Sequence, residues 1–303
     1  MSSIAAASAG ARSRDQRARR DHQPVPFVAP LIVLLALSSL LPIGYSVVLS
    51  LFDWHWGSSI AFVGLDNYVA VLRSPDYWAS LSRTLLFTVL AVIVEIVIGF
   101  IVALAVNSIS RGVGWIRTIL LLPLMVSGMV VALIWKVMLD PTLGIIPYLT
   151  SKIGLKGLNL LGSESTSLPT LVGMDTWWQT GFVFIILSAG LAALPQELFE
   201  AASVDGAGAW QKFRFLTVPL MLPLTATVAG IRTVDCLKVF ALAYGATNGG
   251  PNRSTDFMQL FAYRTAFREF GMSKAMTMMV TYSLMIVLVV AILSLVGRLR
   301  HAR

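Results

Sequence analysis

Pro195–Pro223 reads PQELFEAASVDGAGAWQKFRFLTVPLMLP, a polar, glycine-centred insert between two long apolar segments. Gln196–Val204 has an amphipathic helical pattern: Leu198, Ala201, Ala202 and Val204 form an apolar side, Glu197 and Glu200 a charged one. Asp205-Gly206-Ala207 interrupts it. Gly206 stands where the chain reverses and needs positive φ, a conformation glycine adopts without steric cost. Asp205 is placed to accept backbone N–H groups at the start of a second helix. Ala209–Phe215 reads as that helix, with Trp210, Phe213 and Phe215 as its bulk. Pro219 and Pro223 are expected to separate it from the next apolar segment. A helix pair with an exposed apolar face suits a partner's groove; the alternative is a surface hairpin that merely joins two spans.

The composition around this insert is that of a membrane protein. Of 303 residues 56% are hydrophobic and 13% charged, where a soluble domain carries about 25% charged residues. Mean hydropathy is +0.78. The net charge of +8 sits mostly in the tails and the loops of one face, which is a topology signal and gives no reason to expect nucleic acid as a partner. The single cysteine, Cys236, lies in an apolar run and excludes an intrachain disulfide. His22, His55 and His301 are far apart and outside the apolar runs, so neither a metal site nor a Cys/His cluster is expected.

Six apolar segments follow a basic tail: Phe27–Phe52, Thr84–Ser108, Thr118–Asp140, Pro169–Leu194, Leu220–Thr247 and Ser273–Gly297. Each exceeds the ~20 residues a helix needs to cross ~30 Å of hydrocarbon. In lipid the backbone must bond within its own segment, so these are predicted helices, and internal prolines do not veto them. The fold class is therefore all-α, a polytopic membrane protein of six transmembrane helices. Residues 1–24, with five arginines and few apolar residues, are predicted to be a disordered cytoplasmic tail. Residues 25–300 are predicted to form one membrane domain containing the 195–223 loop. With the tail inside, twelve of the 23 Lys and Arg fall on the inner face and seven in the longer outer loops 53–83, 141–168 and 248–272. That bias puts both termini, and the insert, in the cytoplasm. Trp54, Trp56, Tyr68, Tyr77 and Trp78 are suited to the outer interface.

The insert closely resembles the EAA loop of permease subunits of ABC importers. Glu200-Ala201-Ala202, Asp205-Gly206-Ala207, Phe213, Pro219 and Pro223 match that loop in type and order. Gln196-Glu197-Leu198 before it gives the fuller form seen in carbohydrate-uptake permeases. Thr247-Asn248-Gly249-Gly250-Pro251, Ser254-Thr255 and Tyr263-Arg264-Thr265-Ala266-Phe267 resemble an outer loop of one of the two paired permeases. That half is related to the larger maltose-importer permease and to the first permease of glycerol-phosphate importers. Pro42-Ile43-Gly44-Tyr45 and Phe62-Val63-Gly64-Leu65-Asp66-Asn67-Tyr68 also fit, so the likeness covers about 27–297. Unlike the maltose-type permease, the chain lacks extra N-terminal spans and a large outer domain.

The resemblance implies a type I ABC importer permease core in the bacterial inner membrane. It implies pairing with a second homologous permease, two ATPase subunits on the cytoplasmic loops and an extracytoplasmic solute-binding protein, all within membrane lipid. It places Glu200 and Gly206 at the ATPase contact, and implies as cargo a sugar or a glycerol-phosphate compound such as a glycerophosphodiester. No G-x-x-x-x-G-K-[ST] loop occurs, so ATP and Mg belong to a partner and no cofactor is expected here. No Ser/His/Asp set or in-membrane carboxylate pair at catalytic spacing is evident, so the chain is expected to catalyse nothing.

Ionisable residues inside spans are costly and face a cavity or a partner. Glu95 lies in the second segment and Asp175, Trp177, Trp178 and Gln179 in the fourth; in the fifth, Arg232, Asp235 and Lys238 follow at spacings of three, on one helix face, with Tyr244 beyond. Trp178 and Gln179 either stack on and hydrogen-bond a sugar or pack between helices. Arg232 and Asp235 either fix packing as an ion pair or line the path, with Arg232 or Lys238 facing an anionic group. Glu95 is either a structural partner or part of the path. A secondary transporter using Glu95, Asp175 and Asp235 as ion ligands is the competing class, and a channel or scaffold is the third.

Overall fold

The computed structural model describes residues 25–57, 59–109, 112–154 and 157–301. The basic tail 1–24 lies outside them. Residues up to Leu49 form one compact unit and 50–303 a second. In the first, α1 (Val25–Leu49) carries Pro30 and Pro42 without ending. Ser46 Oγ donates to the Pro42 carbonyl at 2.8 Å.

In the second unit a two-residue hairpin pairs β1 (Phe52–Asp53) with β2 (Ala61–Phe62). Helices α2 (Asp66–Arg73), α3 (Pro75–Asn107), α4 (Val113–Leu121), α5 (Gly128–Met138), α6 (Ile145–Lys152) and α7 (Glu164–Ala192) follow. The loop helices α8 (Gln196–Val204) and α9 (Ala209–Lys212) come next, then α10 (Val218–Leu237), α11 (Ala241–Ala246), α12 (Met258–Phe267) and α13 (Met272–His301). Among the described residues four helices are long and apolar enough to cross a membrane, and up to six spans result if each bent pair counts as one.

The central contact is α3 against α7. The buried stripe of α3 runs Tyr77, Leu81, Thr84, Phe87, Thr88, Ala91, Glu95, Gly99 and Ala103, at helical spacing. Small residues on that stripe let the helix backbones approach closely, which drives packing where lipid supplies no hydrophobic force. Several buried threonine hydroxyls are satisfied along their own helices: Thr88 Oγ1 donates to the Thr84 carbonyl at 2.8 Å and Thr180 Oγ1 to the Thr176 carbonyl at 2.6 Å. Tyr77 is buried and donates to Thr281 Oγ1 at 3.0 Å, so it joins α3 to α13 and does not sit at an interface.

Two expected spans are redrawn. Thr118–Asp140 is not one helix: Val113–Met125 and Gly128–Met138 meet at 99°. Val126 and Ser127 are extended there (ψ 138° and 147°). Pro123 removes a backbone donor just before the break. Leu220–Thr247 is also not one helix. It ends at Leu237, whose carbonyl accepts from the Tyr282 hydroxyl of α13, and α11 is a separate turn beyond.

Candidate functional site: a buried ion network and a loop that continues into it

Three helices bring one charge each to a common point. Glu95 of α3 is 0% exposed and Arg232 of α10 is 3% exposed; Asp175 of α7 is also buried. Arg232 donates to Glu95 from both sides of its fork, Nε to Oε2 at 2.6 Å and Nη2 to Oε1 at 3.0 Å. Nη2 also donates to Asp175 Oδ2 at 2.9 Å and lies 3.4 Å from Cys236 Sγ. The planar guanidinium is the side chain that fits a carboxylate at two points. Asp235 Oδ2 sits 3.6 Å from Arg232 Nη1, and Lys238 Nζ 3.6 Å from Asp235 Oδ1. Glu95, Asp175 and Cys236 converge closely enough to ligate a metal ion, but the guanidinium occupies the position between them.

The network borders a cavity of about 310 Å³ lined in part by Asp175, Trp178, Gln179, Arg232, Asp235 and Lys238. Glu95 lies behind Arg232 and does not line it. Tyr244 does not line it either; it stacks on Phe240, ring centroids 5.4 Å apart. Trp177 is turned away, half-exposed and edge-on to Trp135 at 5.6 Å. Trp178 is committed to packing at one end: its Nε1 donates to the Val126 carbonyl at the bend, 3.1 Å. A Cβ on Gly128 would meet Trp178 Cη2 at 2.7 Å, so the indole also needs glycine there. Gln179 remains as a lining residue of the cavity.

The Trp178 bond gives a direct prediction. Trp178→Phe leaves the Val126 carbonyl without its donor, and should lower stability by about 1–3 kcal/mol. Thermal melting of the purified protein in detergent measures this. A melting curve matching the parent would mean that Pro123 and Gly128 alone hold the bend.

At the other end of α10 stands the glycine-centred loop. Val204 is the last residue of the first helix, Asp205 caps it, and Gly206 follows with φ +79°. The Ala207 N–H donates to the Ala202 carbonyl at 2.8 Å and the Gly206 N–H to the Ser203 carbonyl at 3.1 Å. This is the Schellman closure, in which a left-handed residue satisfies carbonyls a helix end leaves open. Asp205 is thus a C-cap and not the expected N-cap. Gly208 takes that place, its N–H bonded by Gln211 Oε1 at 2.8 Å. Glu200, Ala201, Asp205 and Gly206 are exposed, and Ala202 and Ala207 half-buried. Val204 is 88% exposed, and Trp210 and Phe215 also face outward.

Pro219 and Pro223 do not separate the loop from the span. Phe213–Thr217 forms a π-helical turn and the chain runs from Ala209 to Leu237 as one span. The wide turn lies where Pro219 would otherwise strip the Phe215 carbonyl of its donor and clash with it. Phe213 is half-buried, 6.2 Å from Phe100 of α3 and 5.5 Å from Trp210.

Residues 95–302 match the family described as binding-protein-dependent transport system inner membrane component. The chain belongs to this family. It is an ABC importer permease, an inner-membrane subunit. It is 32% identical to the trehalose/maltose transport system permease protein MalF of Thermococcus litoralis, over 90% of this chain and 93% of that one. It is 31% identical to the sn-glycerol-3-phosphate transport system permease protein UgpA of Agrobacterium fabrum, over 80% and 84%. Its fold matches a chain of a bacterial alginate ABC transporter crystallised with an alginate pentasaccharide-bound periplasmic protein. That match has TM-score 0.80 and 21% identity, covering 92% of this permease and 94% of that chain.

Sequence spacing hid the site's central fact, since Glu95 and Asp175 lie 137 and 57 residues from Arg232. A signal did exist. Glu95, Asp175 and Arg232 each interrupt an apolar segment, and carboxylates buried in spans need a cation as partner. Val126, Gly128 and Cys236 carried no such signal.

Proposed function

We propose that this permease forms half of the path for a sugar-type solute in an ATP-driven importer, moving it by alternating access and drawing its energy from a separate ATPase through the 195–223 loop. The observation that carries the reading is mechanical. The second half of the loop is the first turn of the same helical span that ends in Arg232, Asp235 and the cavity wall. Displacement at Ala209–Lys212 is therefore displacement of α10 and, through Arg232, of α3 and α7.

On this reading Glu200, Ala201, Ala202, Asp205, Gly206, Ala207, Phe213 and Pro219 form or support the ATPase contact. Exposed Val204 and Trp210 supply its apolar surface, as helices docking in grooves do. Both termini are cytoplasmic. A second, homologous permease closes the path, two ATPase subunits bind ATP and Mg, and a solute-binding protein delivers cargo to the outer loops. The chain itself has no catalytic role and needs no cofactor. Sugar-type cargo is supported by the likeness to trehalose/maltose and glycerol-phosphate permeases.

The test is uptake by proteoliposomes holding the permease pair, its ATPase and its loaded binding protein. Uptake should require internal ATP and survive collapse of ion gradients. Uptake that persists without ATP but stops with the proton gradient would instead favour an ion-driven transporter.

A further inference from the structure

The relatives leave open whether the solute is neutral or anionic; the charge arrangement at the cavity argues for one answer. Arg232 is the obvious anchor for a phosphate or carboxylate, and most of it is taken. Its Nε and Nη2 are bonded to Glu95 and Asp175, and its Nη1 faces Asp235. An incoming anion would have to displace a buried carboxylate from Nε or Nη2, or reach Nη1 past the carboxylate of Asp235. Lys238, the second cation at the wall, is paired with Asp235. Both are open to solvent, Asp235 47% and Lys238 51% exposed at the side chain. Glu95, Asp175 and Asp235 against Arg232 and Lys238 leave no cation in excess.

We propose that this wall excludes anions, that Asp235 is the residue setting the exclusion, and that the solute is an uncharged sugar or polyol and not a phosphate ester or uronate. The proposal rests on the transport reading above and narrows it. Asp235 acts in two ways. Its carboxylate accepts hydrogen bonds from sugar hydroxyls, beside the Gln179 amide. It also holds Lys238, which would otherwise offer an anion a charge-assisted bond. A carboxylate within a few ångströms of an approaching phosphate in a partly dehydrated cavity repels it strongly, because the effective dielectric is far below that of water.

The experiment uses the complete permease–ATPase complex in nanodiscs without binding protein, so that the permease's own preference is read. Trehalose, trehalose 6-phosphate, 6-amino-trehalose and glycerol 3-phosphate are compared by saturation-transfer NMR. The expected order places the two phosphate esters at least about tenfold below trehalose, with the amino sugar at or above it. Asp235→Asn should raise the phosphate esters' relative affinity by about tenfold or more, with melting unchanged because the side chain is half-exposed. Lys238→Met should widen the discrimination and keep trehalose binding. This second variant keeps the idea exposed if Asp235→Asn folds poorly.

Tighter binding of either phosphate ester than of trehalose overturns the proposal. So does an unchanged ranking in both variants, or loss of phosphate-ester binding in Lys238→Met, which would mean that Lys238 already grips an anion. Binding of none of the four also overturns it, and ATP-dependent uptake in proteoliposomes then tells whether the transport reading has failed as well.

Discussion

Arg232→Met should destabilise the permease by about 3–5 kcal/mol, because it strands two buried carboxylates without a cation. The expectation follows from the bookkeeping of a buried pair. Removing these charges from water costs several kcal/mol per ion, and the bidentate bond to Glu95 with the further bond to Asp175 only offsets that cost. The network therefore adds little net stability over an apolar core of the same shape, but breaking one member exposes the full penalty. The discriminating result is rescue. A triple variant, Arg232→Met with Glu95→Gln and Asp175→Asn, should recover much of the loss, since no charge is left unpaired. Thermal melting in detergent reads both. A single variant that melts like the parent, or a triple variant no better than the single, would remove the network from the account of how α3, α7 and α10 are held.

The second large effect is on coupling. Gly206→Val should leave a folded membrane domain whose ATPase is no longer stimulated by loaded binding protein. The reason is conformational and not steric. A side chain at Gly206 would meet nothing within 4 Å, but the residue stands at φ +79°, where a β-branched residue is strained. The strain of about 1–2 kcal/mol is enough to open the Schellman closure and swing α8 relative to α9, yet too small to unfold the spans. Gly206→Asn is the control, because asparagine tolerates the left-handed conformation and should keep most of the coupling. Uptake and ATP hydrolysis are measured separately. Stimulated hydrolysis and normal uptake in the valine variant would remove this loop from the coupling path. Equal failure of valine and asparagine would point to the missing side chain itself and not to φ.

Apolar length and charge scarcity alone fixed the helical membrane class, because hydrocarbon leaves a backbone no other way to bond across so many residues. The glycine at the loop's reversal was equally legible: positive φ is a local property and glycine is its cheapest occupant. Local too, though misread, was the cap. Asp205 and Gly208 both stand near a helix start, and which of them caps depends on where the first helix stops. The sequence showed prolines at 219 and 223 but not the π turn that carries the helix past the first of them, nor that Phe213 within that turn lies near Phe100 of a helix more than a hundred residues away. The same holds for the bend at Val126, whose carbonyl is met by a tryptophan from α7. Above all, the charges of α3, α7 and α10 were each visible as anomalies but their convergence was not. Periodicity reports which face of a helix a residue occupies, whereas the partner across that face is chosen by packing among helices distant in sequence. That choice turned Arg232 from a candidate anion anchor into the shared counter-ion of Glu95 and Asp175.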